Sequence, residues 1–267
     1  MKLIKEYILD KKEEIKNEVL NFKKPLKLTI VQVNDDPASN AYIRGKLKDL
    51  EEVGIDKELI KLPETTSQKE LLDLIEKLNN DDSVTGFIVQ MPLPKQIDEE
   101  LVKKSVTPSK DVDGFNLLSE YAPATPHGIV TFLKDHNYDF DGKNAVVIGR
   151  SNIVGKPMAK LLLDLNMNVT VVHSHTTNED LRRYLKNADL VIVAVGKPHF
   201  LTSAYELKED AVVFDVGINR VDGHLVGDCE PDLKVRFQSP VPGGVGLLTR
   251  LSLLLNLLEV AKNGIRN

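Results

Sequence analysis

The 267-residue chain has no tryptophan and a single cysteine, Cys229. One cysteine excludes an internal disulfide, suits a reducing compartment and reads as an inert small residue. No apolar run approaches the ~20 residues needed to cross a bilayer. The first residues, MKLIKEYILDKKEE, are charged throughout and lack a signal-peptide apolar core. A soluble, cytoplasmic protein is the expectation. There is no basic block, and the formal net charge is −5, which argues against nucleic acid or an anionic membrane as the main partner. No internal repeat or low-complexity segment is visible. His173 and His175 have no carboxylate or thiol beside them in sequence, a weak ligand set, so no metal is expected.

What is present is an ordinary globular composition, 42% hydrophobic and 28% charged, in a chain long enough for two domains of roughly 100–150 residues. Ile4, Ile8, Ile15, Val19 and Phe22 share one helical face. Leu26–Val33 reads as a strand. Asp36-Pro37 starts a helix that runs to Gly54, with Asp as N-cap and Ile43, Leu47 and Leu50 on its apolar side. A short strand lies near Leu59–Leu62. Ser67-x-x-Glu70 is a capping box opening a helix with Leu71, Leu74, Ile75 and Leu78. Gly86–Met91 is a buried-type strand stopped by Pro92. Thr125-Pro126 starts a helix ending near His136. Strands follow at Asn168–Val172, Leu190–Val195 and Ala211–Val216, with a helix capped by Thr177-x-x-Asp180. Arg220–Val226 carries a D-G turn and reads as a hairpin. After the Gly/Pro loop Ser239–Gly246, Leu247–Ala261 is a strongly apolar helix. Strands alternating with helices imply parallel βαβ units and an α/β fold.

The chain is organised around Asn144–Leu163, NAVVIGRSNIVGKPMAKLLL. An apolar strand, Ala145–Gly149, runs into a glycine-punctuated turn and then a helix, with Pro157 near the helix start. A dinucleotide-binding unit opens this way, because small residues admit the pyrophosphate backbone and the helix N-terminus faces its charge. The spacing is Gly149-x-Ser151-x-x-x-Gly155 rather than G-x-G-x-x-G, and tight turns of α/β proteins without nucleotide share it. In NAD sites an acid ends the second strand and binds the ribose. Here that strand ends in His173-Ser174-His175, and Arg150 lies inside the glycine turn. A cation beside a hydroxyl and an imidazole favours the 2′-phosphate of NADP.

Outside that stretch the pattern is less pointed. Lys46 reads by itself as a solvated lysine on an amphipathic helix, and Tyr42 as boundary packing. Gln90 ends a buried strand, so its amide must find a partner, and strand C-terminal ends are where α/β ligands sit.

Six ordered segments, DPASNAYIRGKLK (36–48), VQMPLP (89–94), KDVDGF (110–115), GRSNIVGKPMAKLLL (149–163), DVGINR (215–220) and PVPGGVG (240–246), resemble the bifunctional methylenetetrahydrofolate dehydrogenase/cyclohydrolase family over nearly the whole chain. The resemblance implies an N-terminal α/β folate-binding domain, residues 1–117, and a Rossmann-type NADP-binding domain, residues 118–246. A C-terminal helix, 247–267, returns to complete the first domain, and the cleft lies between the two. It further implies NADP as cofactor, tetrahydrofolate derivatives as substrates, a homodimer with a candidate contact near Ala211–Val226, and a place in one-carbon metabolism and purine biosynthesis.

Carried over by position, Lys46 is the catalytic lysine, Tyr42 the folate-stacking ring about one helical turn away, Gln90 the strand-end glutamine and Asp113 the acid on the pterin edge. Val89, Met91, Pro242, Gly243, Gly244, Val245 and Gly246 border the folate, and Gly149, Arg150, Ser151, Ser174 and Ile218 take the NADP positions. The implied chemistry is oxidation of 5,10-methylenetetrahydrofolate to the methenyl cation and hydrolysis of that cation to 10-formyltetrahydrofolate. Hydride loss is driven by the substrate's own nitrogens, whereas water addition needs a proton acceptor, which Lys46 supplies once burial and the nearby cation lower its pKa. Asp111 and Asp113 are acids suited to tolerating the cation. Three departures stand out: Ala124 replaces the cysteine of P-C-T-P, Asn116 stands where histidine is common, and Leu247-Leu248 replaces Pro-Met. Two other readings stay open, a folate dehydrogenase without hydrolysis and a non-catalytic NADP-binding protein.

Overall fold

In the computed structural model, which describes residues 3–116 and 118–266, the chain divides into two units. One unit comprises Leu9–Ala124 with the chain from Arg250 onward, and the other comprises the chain up to Ile8 with Thr125–Thr249. The expected boundary at residue 117, and the expected domain ends at 1 and 267, lie outside the described residues.

The first helix, α1 (Ile4–Val19), buries Ile4, Tyr7, Ile8 and Ile15 on one face. In the first unit β1 (Lys27–Gln32) is buried at every position after the first. It is the middle strand of a parallel sheet ordered β2-β1-β3, with Ile30 opposite Leu59 of β2 (Asp56–Lys61) and Ile88 of β3 (Gly86–Val89). Being the middle strand, β1 buries even its polar Thr29 and Gln32; β2, at the edge, reads DKELIK and stays largely exposed.

Between β1 and β2 lies α2 (Pro37–Glu52). Asp36 caps it by accepting from the Ser39 N–H at 2.7 Å, and Gly54 leaves it at φ +76°. α3 (Gln68–Asn79) opens on the Ser67–Glu70 capping box and buries Leu71, Ile75 and Leu78. α4 (Glu99–Ser105) follows β3, a helix absent from the sequence reading. It is seven residues long and buries only Val102, too little for a helical period to register.

The second unit starts with α5 (Ala124–Asp135) and β4 (Asn144–Ile148). It continues through α6 (Gly155–Asp164), β5 (Asn168–Val172), α7 (Asn178–Lys186), β6 (Leu190–Val193) and β7 (Val212–Asp215). A hairpin, β8 (Asn219–Val221) and β9 (His224–Val226), turns on Asp222 and Gly223, both at positive φ, the geometry of a type I′ turn. With the two-residue β10 (Phe237–Gln238), missed in sequence, the parallel sheet is ordered β10-β7-β6-β4-β5.

α8 (Val245–Arg266) contributes its start to the second unit and its remainder to the first. In the first unit Arg250 donates twice to the buried Asp49, at 2.5 and 2.9 Å, and the Asn256 amide donates to the carbonyls of Val112 (2.9 Å) and Ala122 (3.1 Å). In the second, a Cβ on Gly128 of α5 would stand 2.4 Å from the Leu248 carbonyl, so helix and loop meet through a glycine.

Candidate active site

α2 presents Tyr42 and Lys46 on one face, one turn apart. The Lys46 Nζ stands 5.2 Å from the Tyr42 ring centroid and donates to Gln90 Oε1 at 3.1 Å. Gln90 follows β3; its own N–H is held by the Val31 carbonyl (2.8 Å), and its amide nitrogen donates to Met91 O (2.8 Å). That second bond fixes which end of the amide faces the lysine, so the oxygen accepts from Nζ.

Lys46 is 6% exposed. Burial lowers its pKa from the usual lysine range, opposed by the charge of Asp113. Asp113 is pushed the other way: burial raises its carboxyl, opposed by Lys46. Tyr42, Lys46, Gln90, Met91 and Asp113 thus act on one another within the first unit, with Val89 ending the strand that delivers Gln90. Beside them, Asn34 donates to the Pro92 carbonyl at 2.7 Å and Gln32 to Asn40 at 2.7 Å, tying the start of α2 to the loop after β3.

The second unit holds the dinucleotide-type turn. Gly149 has φ +121°, and a Cβ there would lie 2.3 Å from the Ala194 carbonyl; one on Gly155 would lie 2.2 Å from the Gly149 carbonyl. Both positions demand glycine by close approach. Ser151 Oγ accepts from the N–H groups of Val154 and Gly155 at 3.1 and 3.3 Å, capping the turn into α6.

Gly149 donates to the Val172 carbonyl (2.9 Å), and Ile148 pairs with Val172, so the Arg150 turn and the His173–Ser174–His175 turn leave adjacent strand ends side by side. Arg150 and Ser174 are exposed there. A fixed cation and a hydroxyl, with no carboxylate at the end of β5, form a donor set that fits a 2′-phosphorylated dinucleotide. Ile218 is exposed in the segment after β7; Pro242–Gly244 forms the loop into α8, with Gly243 at φ +94°, and Val245 and Gly246 open the helix itself. Among the described residues no group of three or more His, Cys, Asp or Glu could hold a metal.

The sequence pattern gave no role to two fully buried acids. Asp215 accepts from the N–H groups of Gly217, Asp228 and Cys229, and Asp228 from those of Val195, Gly196 and Lys197 plus the Asn219 amide. They fix the segments that leave β6 and β7. A Cβ on Gly217 or Gly227 would overlap one of these carboxylates, so the Asp–Gly pairs in DVG and GDC were the available signal. Cys229 is buried, and burial pushes its thiol up, away from nucleophilic behaviour. The departures also find their places: Ala124 and Leu248 are buried, and Asn116 hydrogen-bonds with both ends of its amide.

A glycine turn at the ends of parallel strands in one unit and a buried lysine against a glutamine in the other define a two-part α/β enzyme that pairs a dinucleotide with a second substrate. The tetrahydrofolate dehydrogenase/cyclohydrolase catalytic domain matches residues 4–113, and the NAD(P)-binding domain of the same family matches residues 123–265. The chain belongs to that family. It is 48% identical to the bifunctional protein FolD of Agathobacter rectalis, with 94% of this chain and 95% of that protein aligned. Among solved structures it is similar to the bifunctional FolD methylenetetrahydrofolate dehydrogenase/cyclohydrolase of Campylobacter jejuni (TM-score 0.94, 42% identity, 99% of each chain covered). It is also similar to the Trypanosoma brucei methylenetetrahydrofolate dehydrogenase-cyclohydrolase complexed with NADP and an inhibitor (TM-score 0.90, 29% identity, 98% and 96% covered).

Proposed function

We propose that the chain oxidises 5,10-methylenetetrahydrofolate with NADP and hydrolyses the resulting 5,10-methenyltetrahydrofolate to 10-formyltetrahydrofolate, with Lys46 as the group on which hydrolysis turns. The observation that carries this reading is a nearly inaccessible lysine held 3.1 Å from Gln90 and depressed in pKa by burial. A charged lysine cannot take a proton; a buried one reaches the neutral form closer to physiological pH.

NADP, once bound, accepts the hydride. The chain's own work is to hold the partners. Arg150 and Ser174 take the 2′-phosphate, and Gly149, Ser151 and Ile218 line the dinucleotide. Tyr42 stacks on the folate, Asp113 accepts from the pterin edge, and Val89, Met91 and Pro242–Gly246 border the ring. Oxidation needs positioning more than a base, since the substrate's nitrogen lone pairs expel the hydride. Water addition to the cation then releases a proton, which neutral Lys46 takes. Gln90, already bonded to the amine, aims it.

The reading extends to a cytoplasmic homodimer supplying one-carbon units, purine biosynthesis among their uses, with no nucleic acid partner. The test is incubation with 5,10-methylenetetrahydrofolate and each nicotinamide cofactor, following reduced cofactor, methenyl and formyl products separately. All three should appear with NADP. Reduced cofactor and methenyl without formyl would leave a dehydrogenase alone, and no reduction with either cofactor would end the proposal.

A further inference from the structure

Asp113 sits in the turn Asp111–Asn116, and that turn is held by a second acid, Asp111, which the folate reading names only as a charge near the cation. Asp111 is 3% exposed, and both its oxygens are engaged by the turn's own backbone: Oδ1 accepts from Gly114 N–H at 3.1 Å and Oδ2 from Asn116 N–H at 2.8 Å. The turn has little slack. Gly114 lies at φ +66°, where a Cβ would stand 2.6 Å from the Tyr121 carbonyl oxygen. The Asn116 amide donates to the carbonyls of Val106 (2.8 Å) and Lys104 (3.2 Å), and Asn256 of α8 donates to that of Val112.

The charged groups around Asp111 do not neutralise it. Asp113, in the same turn, is a like charge. Lys46 of α2 acts on Asp113. Lys103 of α4 lines a small cavity with Asp111 and Asp113 but pairs with Glu100 at 2.9 Å. Lys110 donates to the carbonyls of Leu78 and Asp81. β3 contributes Phe87, which bridges to Asp111, and α8 contributes the neutral Asn256. Burial is therefore the largest influence on the Asp111 carboxyl and Asp113 adds to it; against the N–H bonds, the carboxyl is pushed up to about 6. A carboxylate kept charged against burial beside another acid is the kind of group found where a site needs it.

We propose that Asp111 is the positioning residue of the folate site: as a carboxylate it holds the Gly114 and Asn116 N–H groups and so fixes the backbone from which Asp113 reaches the pterin edge. The inference rests on the folate reading of Asp113. Protonated, Asp111 carries an O–H that faces one of those N–H groups and leaves it unpaired, so the turn loosens. Its carboxylate is present above about pH 6 and is lost as pH falls through that value. Folate affinity falls with it.

The test is calorimetric titration of the full-length protein with 5-formyltetrahydrofolate between pH 5 and 8, for the wild type, Asp111→Asn and Asp113→Asn. The Asp111 contribution should lower wild-type affinity by up to about tenfold in total as pH falls through that midpoint, the worth of one unpaired N–H. Asp111→Asn should bind roughly tenfold more weakly at pH 7.5, for one unpaired N–H, and lose that part of the pH dependence, since Asp113 and Lys46 still titrate in it. Asp113→Asn should bind weakly throughout. Unchanged binding by Asp113→Asn would remove the folate reading and this inference with it. Weak binding by Asp113→Asn beside wild-type behaviour of Asp111→Asn would overturn the positioning role alone. If Asp111→Asn fails to fold, the wild-type profile decides: affinity constant down to pH 5 overturns the inference.

Discussion

A lysine passes to its neutral form when its surroundings penalise charge, and burial does so for Lys46. Asp113 opposes the shift, and a methenyl cation bound nearby would act in the same direction as burial. Lys46→Met keeps the length and apolar stem while deleting the amine. It should reduce hydrolysis of methenyltetrahydrofolate by about 10²–10⁴-fold, the usual worth of a general base. Measurable hydride transfer should remain, so that the methenyl compound accumulates. Equal loss of both activities in a folded variant that still binds NADP would make Lys46 a positioning group for both steps. In the wild type the hydrolysis rate should rise with pH as the depressed amine deprotonates, and Lys46→Arg should show no such rise, because guanidinium stays charged. Arg150→Ala should weaken NADP binding far more than NAD binding; equal losses would remove Arg150 from the 2′-phosphate.

These roles were unevenly visible beforehand. Lys46 on its helix is indistinguishable from a solvated lysine, because what buries it arrives from β3 and the Asp111–Asn116 turn, distant in sequence. Asp111, Asp215 and Asp228 bind backbone N–H groups, contacts that leave no mark in a side-chain pattern.

The elements themselves were legible where local chemistry agrees with the tertiary role. α3 carries the apolar spacing in its twelve residues and the Ser67–Glu70 capping box at their head, and the D-G turn of the β8–β9 hairpin needs positive φ twice. α4 and β10 were not legible, since seven and two residues carry too little period. α2 couples this scale to the site. Its N-cap, Asp36, accepts from the Ser39 N–H at 2.7 Å, and Asn40, one turn into the helix, is held by Gln32 of β1. Asp36→Ala should destabilise the protein by about 1 kcal/mol, the typical worth of a cap, read as a lower midpoint in urea. Since the cap fixes the first turn and Lys46 lies in the third, the same variant should retain most of its hydrolytic rate. A catalytic loss far beyond the stability loss would mean that the first turn, with Asn34 and Pro92 beside it, contacts the substrate.

At the scale of the whole molecule, the chain leaves the first unit near Ala124 and re-enters it at Arg250, so the first unit is completed by residues made last. What re-enters is mostly core. Leu251, Leu254, Leu257 and Leu258 are each 1% exposed or less, and Leu257 packs where a Cβ on Gly86 of β3 would stand 3.1 Å away. Burying a leucine contributes about 1.5–3 kcal/mol, so these four supply about 6–12 kcal/mol. That is comparable to the roughly 5–15 kcal/mol by which a whole domain is stable. The Arg250–Asp49 pair makes the loss worse, for Asp49 would remain buried with Lys12 as its other cationic partner. A chain ending at Thr249 should therefore lose folate binding, while the second unit, whose residues all remain, should keep its affinity for NADPH by fluorescence titration. Folate binding of unchanged affinity in that truncated chain would show that the segment from Arg250 onward is not part of the folate unit's core. Loss of both ligands would show instead that the second unit depends on the first for its own folding.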